Sequence, residues 1–187
     1  MMGDMTTIET PRLVLRRWRE EDVEPYAAVN ADPEVMRWIG DGSVRDTAET
    51  RAHIERIERL WETEGFGLFA VELRDTGEFA GFTGLSVPHF LPAVMPAVEV
   101  GWRLGRRFWG RGLATEAARA SVRFAFREAG LPELLSLVRA GNAPSANVTR
   151  KLGMRLSREL VSADPDRTVR VYALSAVEYA TRSGDEG

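Results

Sequence analysis

A carboxylate on a covered strand face is the residue here best suited to moving a proton. Along residues 97–104 the alternation puts Val98, Val100, Trp102 and Leu104 on one face and Glu99, Gly101 and Arg103 on the other. If helices cover that second face, an idle Glu99 carboxylate is costly. Two uses would justify it. One is an ion pair with Arg103. The other is service as a general base, with desolvation raising the pKa toward neutrality so that the group can take a proton from an ammonium. Gly101, between the two, suits a strand bulge that would open the sheet.

The same stretch runs into a second chemical feature, Val98-Glu-Val-Gly-Trp-Arg-Leu-Gly-Arg-Arg-Phe-Trp-Gly-Arg-Gly-Leu-Ala-Thr-Glu116. A strand ends near Leu104, a glycine-punctuated loop follows, and a helix starts near Leu113. Such a junction aims free N–H groups and the positive end of the helix dipole at whatever lies in front of it. Gly110 and Gly112 leave room for an anion at the main chain, and Arg106, Arg107 and Arg111 add local positive charge. A tight turn serving only packing is the plain alternative. A nucleotide P-loop is excluded because no Gly-Lys-Ser/Thr is present. A dinucleotide fingerprint is excluded because Thr115 stands where its third glycine belongs and residues 134–140 do not end in an acid.

Other chemistries are closed by composition. The chain has no cysteine, which removes disulfides, thiolate metal sites and a thiol nucleophile. Its two histidines, His53 and His89, lack a ligand-like spacing, so no metal is expected. The 25 basic and 28 acidic residues give a net charge of −3, unlike the basic field of a general nucleic-acid binder. Only Lys151 among the basic residues is a lysine, a pattern that fits coding bias. No apolar run approaches the roughly 20 residues of a membrane span, and residues 1–10 are polar and acidic, unlike a signal peptide. The expected setting is the cytoplasm.

The elements that must hold these groups follow from periodicity. Strands are expected at 12–18, 68–73, 78–87, 97–104, 134–140, 155–160 and 168–174, and helices at 20–30, 47–64, 113–129 and 143–152. Asp32-Pro33 reads as a break and 88–96 as a proline-rich connection. Trp18, Trp38, Trp61, His89 and Phe90 are candidates for an acceptor pocket, with core packing as the alternative. At 187 residues, with 44% hydrophobic and 28% charged residues, this is one α/β domain with a mixed sheet. Its core spans 10–174, and 183–187 reads as a frayed tail.

The order of elements, the Trp109-Gly-Arg-Gly-Leu-Ala-Thr115 loop and the later Asn142-x-x-Ser145…Lys151-Leu-Gly-Met154 resemble the GCN5-related N-acetyltransferases, in the branch of the ribosomal-protein N-terminal alanine acetyltransferases. The resemblance covers residues 10–174. It implies an α/β (α+β) single domain whose mixed, mostly antiparallel sheet of six to seven strands is flanked by helices. It also implies acetyl-CoA as acyl donor and a primary amine, on a protein N-terminus or a small molecule, as acceptor. A homodimer is compatible with it.

The family's Gln/Arg-x-x-Gly-x-Gly/Ala loop maps onto Trp109-x-x-Gly112-x-Ala114, with Trp in place of the usual first residue. The resemblance gives the CoA pyrophosphate to main-chain N–H groups of Gly110, Arg111, Gly112, Leu113, Ala114 and Thr115. It gives the pantetheine amides to the strand edge at Trp102, Arg103 and Leu104. It assigns Glu99 as general base and Asn142 a hydrogen bond to the CoA arm beside its evident helix-capping role, while the proton for the leaving thiolate comes from Ser145 or from water. The family often has a Tyr for that last task where this chain has Thr149. Another acyl group such as succinyl, or a CoA-binding sensor without catalysis, are the alternative readings.

Overall fold

The computed structural model describes residues 6–164 and 167–184. In chain order the strands are β1 (Ile8–Glu9), β2 (Leu13–Arg16), β3 (Leu68–Leu73), β4 (Phe79–Ser86), β5 (Glu99–Leu104), β6 (Glu133–Arg139), β7 (Arg155–Leu160) and β8 (Val169–Ser175). The helices are α1 (Val23–Asn30), α2 (Pro33–Met36), α3 (Thr47–Glu64), α4 (Leu113–Arg127), α5 (Ala143–Lys151) and α6 (Ala176–Gly184).

Local chemistry sets the helix ends. At α3, Asp46 accepts from the Glu49 N–H at 2.8 Å and Glu49 accepts from the Asp46 N–H at 2.9 Å, a reciprocal cap. The helix stops at Gly65, whose φ of 73° suits a residue without a Cβ. Asn142 caps α5 by accepting from the Ser145 N–H at 3.2 Å, with Pro144 in the first turn. Asp32-Pro33 is not simply a break: Asp32 accepts from the Glu34 N–H and starts the one-turn α2.

One sheet holds all eight strands in the order β1-β2-β3-β4-β5-β6-β8-β7. Every neighbouring pair is antiparallel except β5–β6. The count exceeds the expected six to seven because Ile8–Glu9 adds a short edge strand against β2. That pair is held by main-chain hydrogen bonds, which polar residues make as well as apolar ones. The expected frayed tail is also corrected in part: the backbone of Ser183 and Gly184 continues α6, and residues 185–187 lie outside the described ones.

The two faces are covered by different helices. Thr83, which pairs with Trp102, lies 3.1 Å from Ser121 of α4 through its hydroxyl, so that face belongs to α4. On the other, Phe82 packs edge-on to Tyr26 of α1 and to His53 of α3, with centroids at 5.9 and 6.2 Å. Trp18 and Trp61 are core residues, and both indoles donate to the Leu68 carbonyl, at 2.9 and 3.1 Å. His89 and Phe90 are exposed. Of the five aromatic pocket candidates, only the partly buried Trp38 stays eligible, against Gly141 in the β6–α5 turn.

Candidate active site

β5 and β6 run side by side only at their start. A single register pair, Glu99 with Leu135, joins them, together with the Leu135 N–H donating to the Val98 carbonyl at 2.9 Å. Beyond it the strands part. The opening is not made by a bulge at Gly101: pairing of β5 with β4 runs unbroken from Ser86–Glu99 to Gly81–Leu104. Because the sheet's one parallel pair gives out there, the β5 main chain has a free edge. The Gly105 N–H donates across to Ala80 at 2.9 Å, so by alternation Arg103 and Gly101 turn their main chains toward β4. Val100, Trp102 and Leu104 turn theirs toward the gap. The Leu104 carbonyl is taken by the Trp109 indole N–H at 2.8 Å. The free edge therefore runs through Trp102 and the Leu104 N–H, and Arg103 is not part of it.

The glycine loop lies at the end of that edge. Gly110 and Gly112 have φ of 71° and 75°, and a Cβ at Gly110 would touch nothing within 4 Å. Gly112 is the N-cap of α4 and supplies no side-chain bond. The first helical bond is Glu116 N–H to the Gly112 carbonyl, so the N–H groups of Leu113, Ala114 and Thr115 precede it and are not capped by a side chain. Arg111 has no ion pair among the described residues. Arg106 and Arg107, expected to add free positive charge, are instead engaged by Asp32 at 3.2 Å and Glu78 at 2.6 Å.

The loop has a brace that its own sequence does not announce. Arg12 of the segment before β2 donates to the Arg111 carbonyl at 2.8 Å and pairs with Glu116 at 2.6 Å. Thr10 donates to the same carboxylate at 2.7 Å. Residues a hundred positions apart meet here, which no spacing rule detects.

Glu99 sits where the two strands part. It is partly buried, and desolvation of its carboxyl raises the pKa to about 7 against the opposing effect of a hydrogen bond from the Leu137 main chain. The ion pair with Arg103 weighed from the sequence does not form. Arg103 turns into the α1–α3 side and donates through Nη1 to Asn30 Oδ1 at 2.6 Å and to the Tyr26 hydroxyl at 3.3 Å. Tyr26 and His53 Nδ1 are in turn 2.8 Å apart. Ser145 is partly buried at the start of α5. Thr149 is fully buried and its hydroxyl donates to the Ala146 carbonyl at 2.8 Å, so it cannot serve as an acid. Two half-open depressions of about 230 and 350 Å³ lie off the β5–β6 gap, one under Arg16 and one beside Arg12, where Arg111 and Leu113 of the glycine loop help line it. The β5–β6 gap is marked out by its chemistry, a free strand edge beside the desolvated Glu99 carboxyl.

The raised Glu99 pKa has a consequence for stability. Below about pH 4.5 the carboxyl is neutral in both folded and unfolded chains. Between there and pH 7 the unfolded chain releases its proton first, so folding loses stability, by an amount on the order of 3 kcal/mol that levels off above pH 7. His53 slopes the other way: buried and held neutral with a pKa near 3, it adds stability as pH rises toward 6.5. The comparison is therefore between wild type and Glu99→Gln. Urea unfolding is expected to show the variant gaining on wild type from pH 5 to pH 8, and a constant difference would mean an ordinary Glu99.

Comparison with known proteins agrees with this geometry. A family model for the acetyltransferase (GNAT) domain matches residues 12–155. Protein YkkB of Bacillus subtilis is 31% identical over 160 residues, 85% of this chain and 91% of that one. N-acetyltransferase p20 of Bacillus licheniformis is 28% identical over 181 residues, 94% and 99% of the two chains. Among solved structures, an acetyltransferase from Agrobacterium tumefaciens has a TM-score of 0.77 at 30% identity, covering 93% of this chain and 96% of that one. A ribosomal alpha-N-protein acetyltransferase solved with coenzyme A shares the fold at a TM-score of 0.75 and 19% identity, covering 93% and 99%. This chain, with its parted β5–β6 pair and uncapped α4 N-terminus, belongs to the GNAT acetyltransferase family.

Proposed function

We propose that the protein transfers acetyl from acetyl-CoA to a primary amine by direct attack within a ternary complex. The observation that carries this reading is the desolvated Glu99 carboxyl at the mouth of the β5–β6 gap, with a pKa of about 7. The donor's pyrophosphate suits the uncapped N–H groups of Leu113, Ala114 and Thr115 and the open main chain at Gly110 and Gly112. Its pantetheine amides suit the free edge at Trp102 and Leu104, pairing as another strand would. Arg111 adds positive charge at the loop, and Asn142, already committed to its cap, keeps room for one more bond.

The step follows from these placements. An incoming ammonium loses a proton to the Glu99 carboxylate. The neutral amine then attacks the thioester carbonyl; a C–N bond forms, the C–S bond breaks, and the CoA thiolate leaves. A main-chain N–H of the free β5 edge steadies the oxyanion. The thiolate takes a proton from Ser145 or from water, which recovers it from the nitrogen as the amide forms. With no cysteine in the chain, no acetyl-thioester enzyme can form. Initial rates over a grid of acetyl-CoA and amine concentrations are expected to give intersecting double-reciprocal lines. Parallel lines would mean a covalent acetyl-enzyme and overturn the direct attack.

A further inference from the structure

The protein buries two arginines in different ways. Arg16, 6% exposed, lies between two carboxylates, Asp22 and Glu72, each at 2.8 Å. Arg103, 8% exposed, has no carboxylate at all among the described residues. Its neutral partners Asn30 and Tyr26 both sit on Nη1, and the guanidinium lies 5.1 Å over the Phe82 ring. Nε is buried and unpartnered. Nη2 makes no hydrogen bond either, yet it is not among the enclosed unpartnered atoms, so it still reaches solvent. Nε and Nη2 form one edge of the guanidinium plane, the edge that grips a carboxylate through two parallel N–H···O bonds.

Burying a cation without a counter-charge is expensive, and the cost is relieved when a ligand brings one. The surroundings point the same way. The Arg45 N–H donates to the Asn30 carbonyl at 3.0 Å, at the residue whose side chain holds Arg103. Arg45 is partly buried and has no ion pair among the described residues. Burial holds His53 in its neutral form, Arg103, Arg45 and Arg56 add to that effect, and no carboxylate opposes them there. Arg103 also shares its strand face with Glu99. Gly101 lies between them, about 6.6 Å along the strand from each, and a Cβ at Gly101 would meet nothing within 4 Å. The open space over Gly101 thus lies between a proton acceptor and an uncompensated cation on one strand face.

We infer that the acceptor is an amine that also carries a carboxylate, the amine reaching Glu99 over Gly101 and the carboxylate meeting the Nε–Nη2 edge of Arg103 with Arg45 behind it. This rests on the acetyl-transfer reading for its chemistry, while the anion site can be tested without it. The carboxylate is either that of a free amino acid or an acidic side chain at a peptide's first residue.

The experiment compares acid and amide pairs: a free amino acid against its amide, and a glutamyl against a glutaminyl peptide amide. Wild type is expected to favour the acid of at least one pair by about tenfold or more in kcat/KM, and the pair that responds identifies the source. Arg45→Gln should narrow that ratio severalfold, and Arg103→Lys, which keeps charge but loses the fork, should narrow it further. If Arg103→Lys does not fold, Arg45→Gln alone carries the test. Calorimetry with the N-acetylated acid and its amide, in the presence of CoA, gives a readout without turnover, and the acid should bind more tightly. If amines are acetylated but acids and amides are used alike, the anion site is wrong and the transferase reading stands. If nothing is acetylated yet the acid binds in an Arg45-dependent way, the transferase reading falls and the anion site stands.

Discussion

Glu99→Gln is expected to lower turnover by about 10²–10⁴, the usual worth of a positioned general base, while CoA affinity stays within a few-fold. The amide keeps the size of the side chain and can still accept a hydrogen bond from the Leu137 main chain, but it cannot take a proton. The reasoning rests on the match between group and task. An amine arrives mostly as ammonium at neutral pH, and a carboxyl with a pKa of about 7 holds a proton far better than an ordinary glutamate. Arg103 does not compete for it, since its donors go to Asn30 and Tyr26. The wild-type rate should therefore rise through an apparent pKa near 7, as Glu99 loses its proton and becomes a base. That limb should be missing in the variant. A pH–rate profile on both proteins decides it: normal turnover by Glu99→Gln would leave Glu99 as a merely tolerated carboxylate and return the proton to water.

Gly112→Val should weaken CoA binding on the order of 100-fold, about 2.7 kcal/mol, with the fold retained. Two effects add. Gly112 has φ of 75°, where a β-branched residue is a genuine outlier, so the loop must rearrange and turn the N–H groups of Leu113 to Thr115 off their common direction. The new side chain also enters the space in front of the helix, where the nearest atom is now Arg12 Nη2, 3.6 Å from an added Cβ. The position is exposed, so the core does not feel the change. Calorimetry with CoA and urea unfolding, run on the same preparation, separate the two quantities. A folded variant that binds CoA as wild type does would remove the loop from the donor site.

Much of this was legible along the chain because it is local. The capped and glycine-stopped helix over 47–64, the strands over 68–73 and 155–160 and the helix start at Leu113 follow from caps, alternation and turn residues within a few positions of one another. That Glu99 shares a face with Arg103 follows from period two alone, and the resemblance needed only two motifs in order. What escaped is mostly a matter of tertiary partners. β1 is only two residues long and exists because β2 offers it main-chain partners. α6 is amphipathic over its own residues and packs Tyr179 against Phe126 of α4. Arg106 and Arg107 look free in sequence and are neutralised by Asp32 and Glu78 in space.

Glu99 and Arg103 show the division most sharply. The sequence determined that they share a strand face, since side chains alternate whatever the fold. It left open whether they bind each other. The tertiary structure decided that they do not: α1 brings Asn30 and Tyr26 to Arg103, while β6 parts from β5 after Leu135 and leaves Glu99 at the opening. A guanidinium or a carboxylate takes the partner that packing puts within reach, and which helix covers a strand is a long-range outcome that no local pattern encodes.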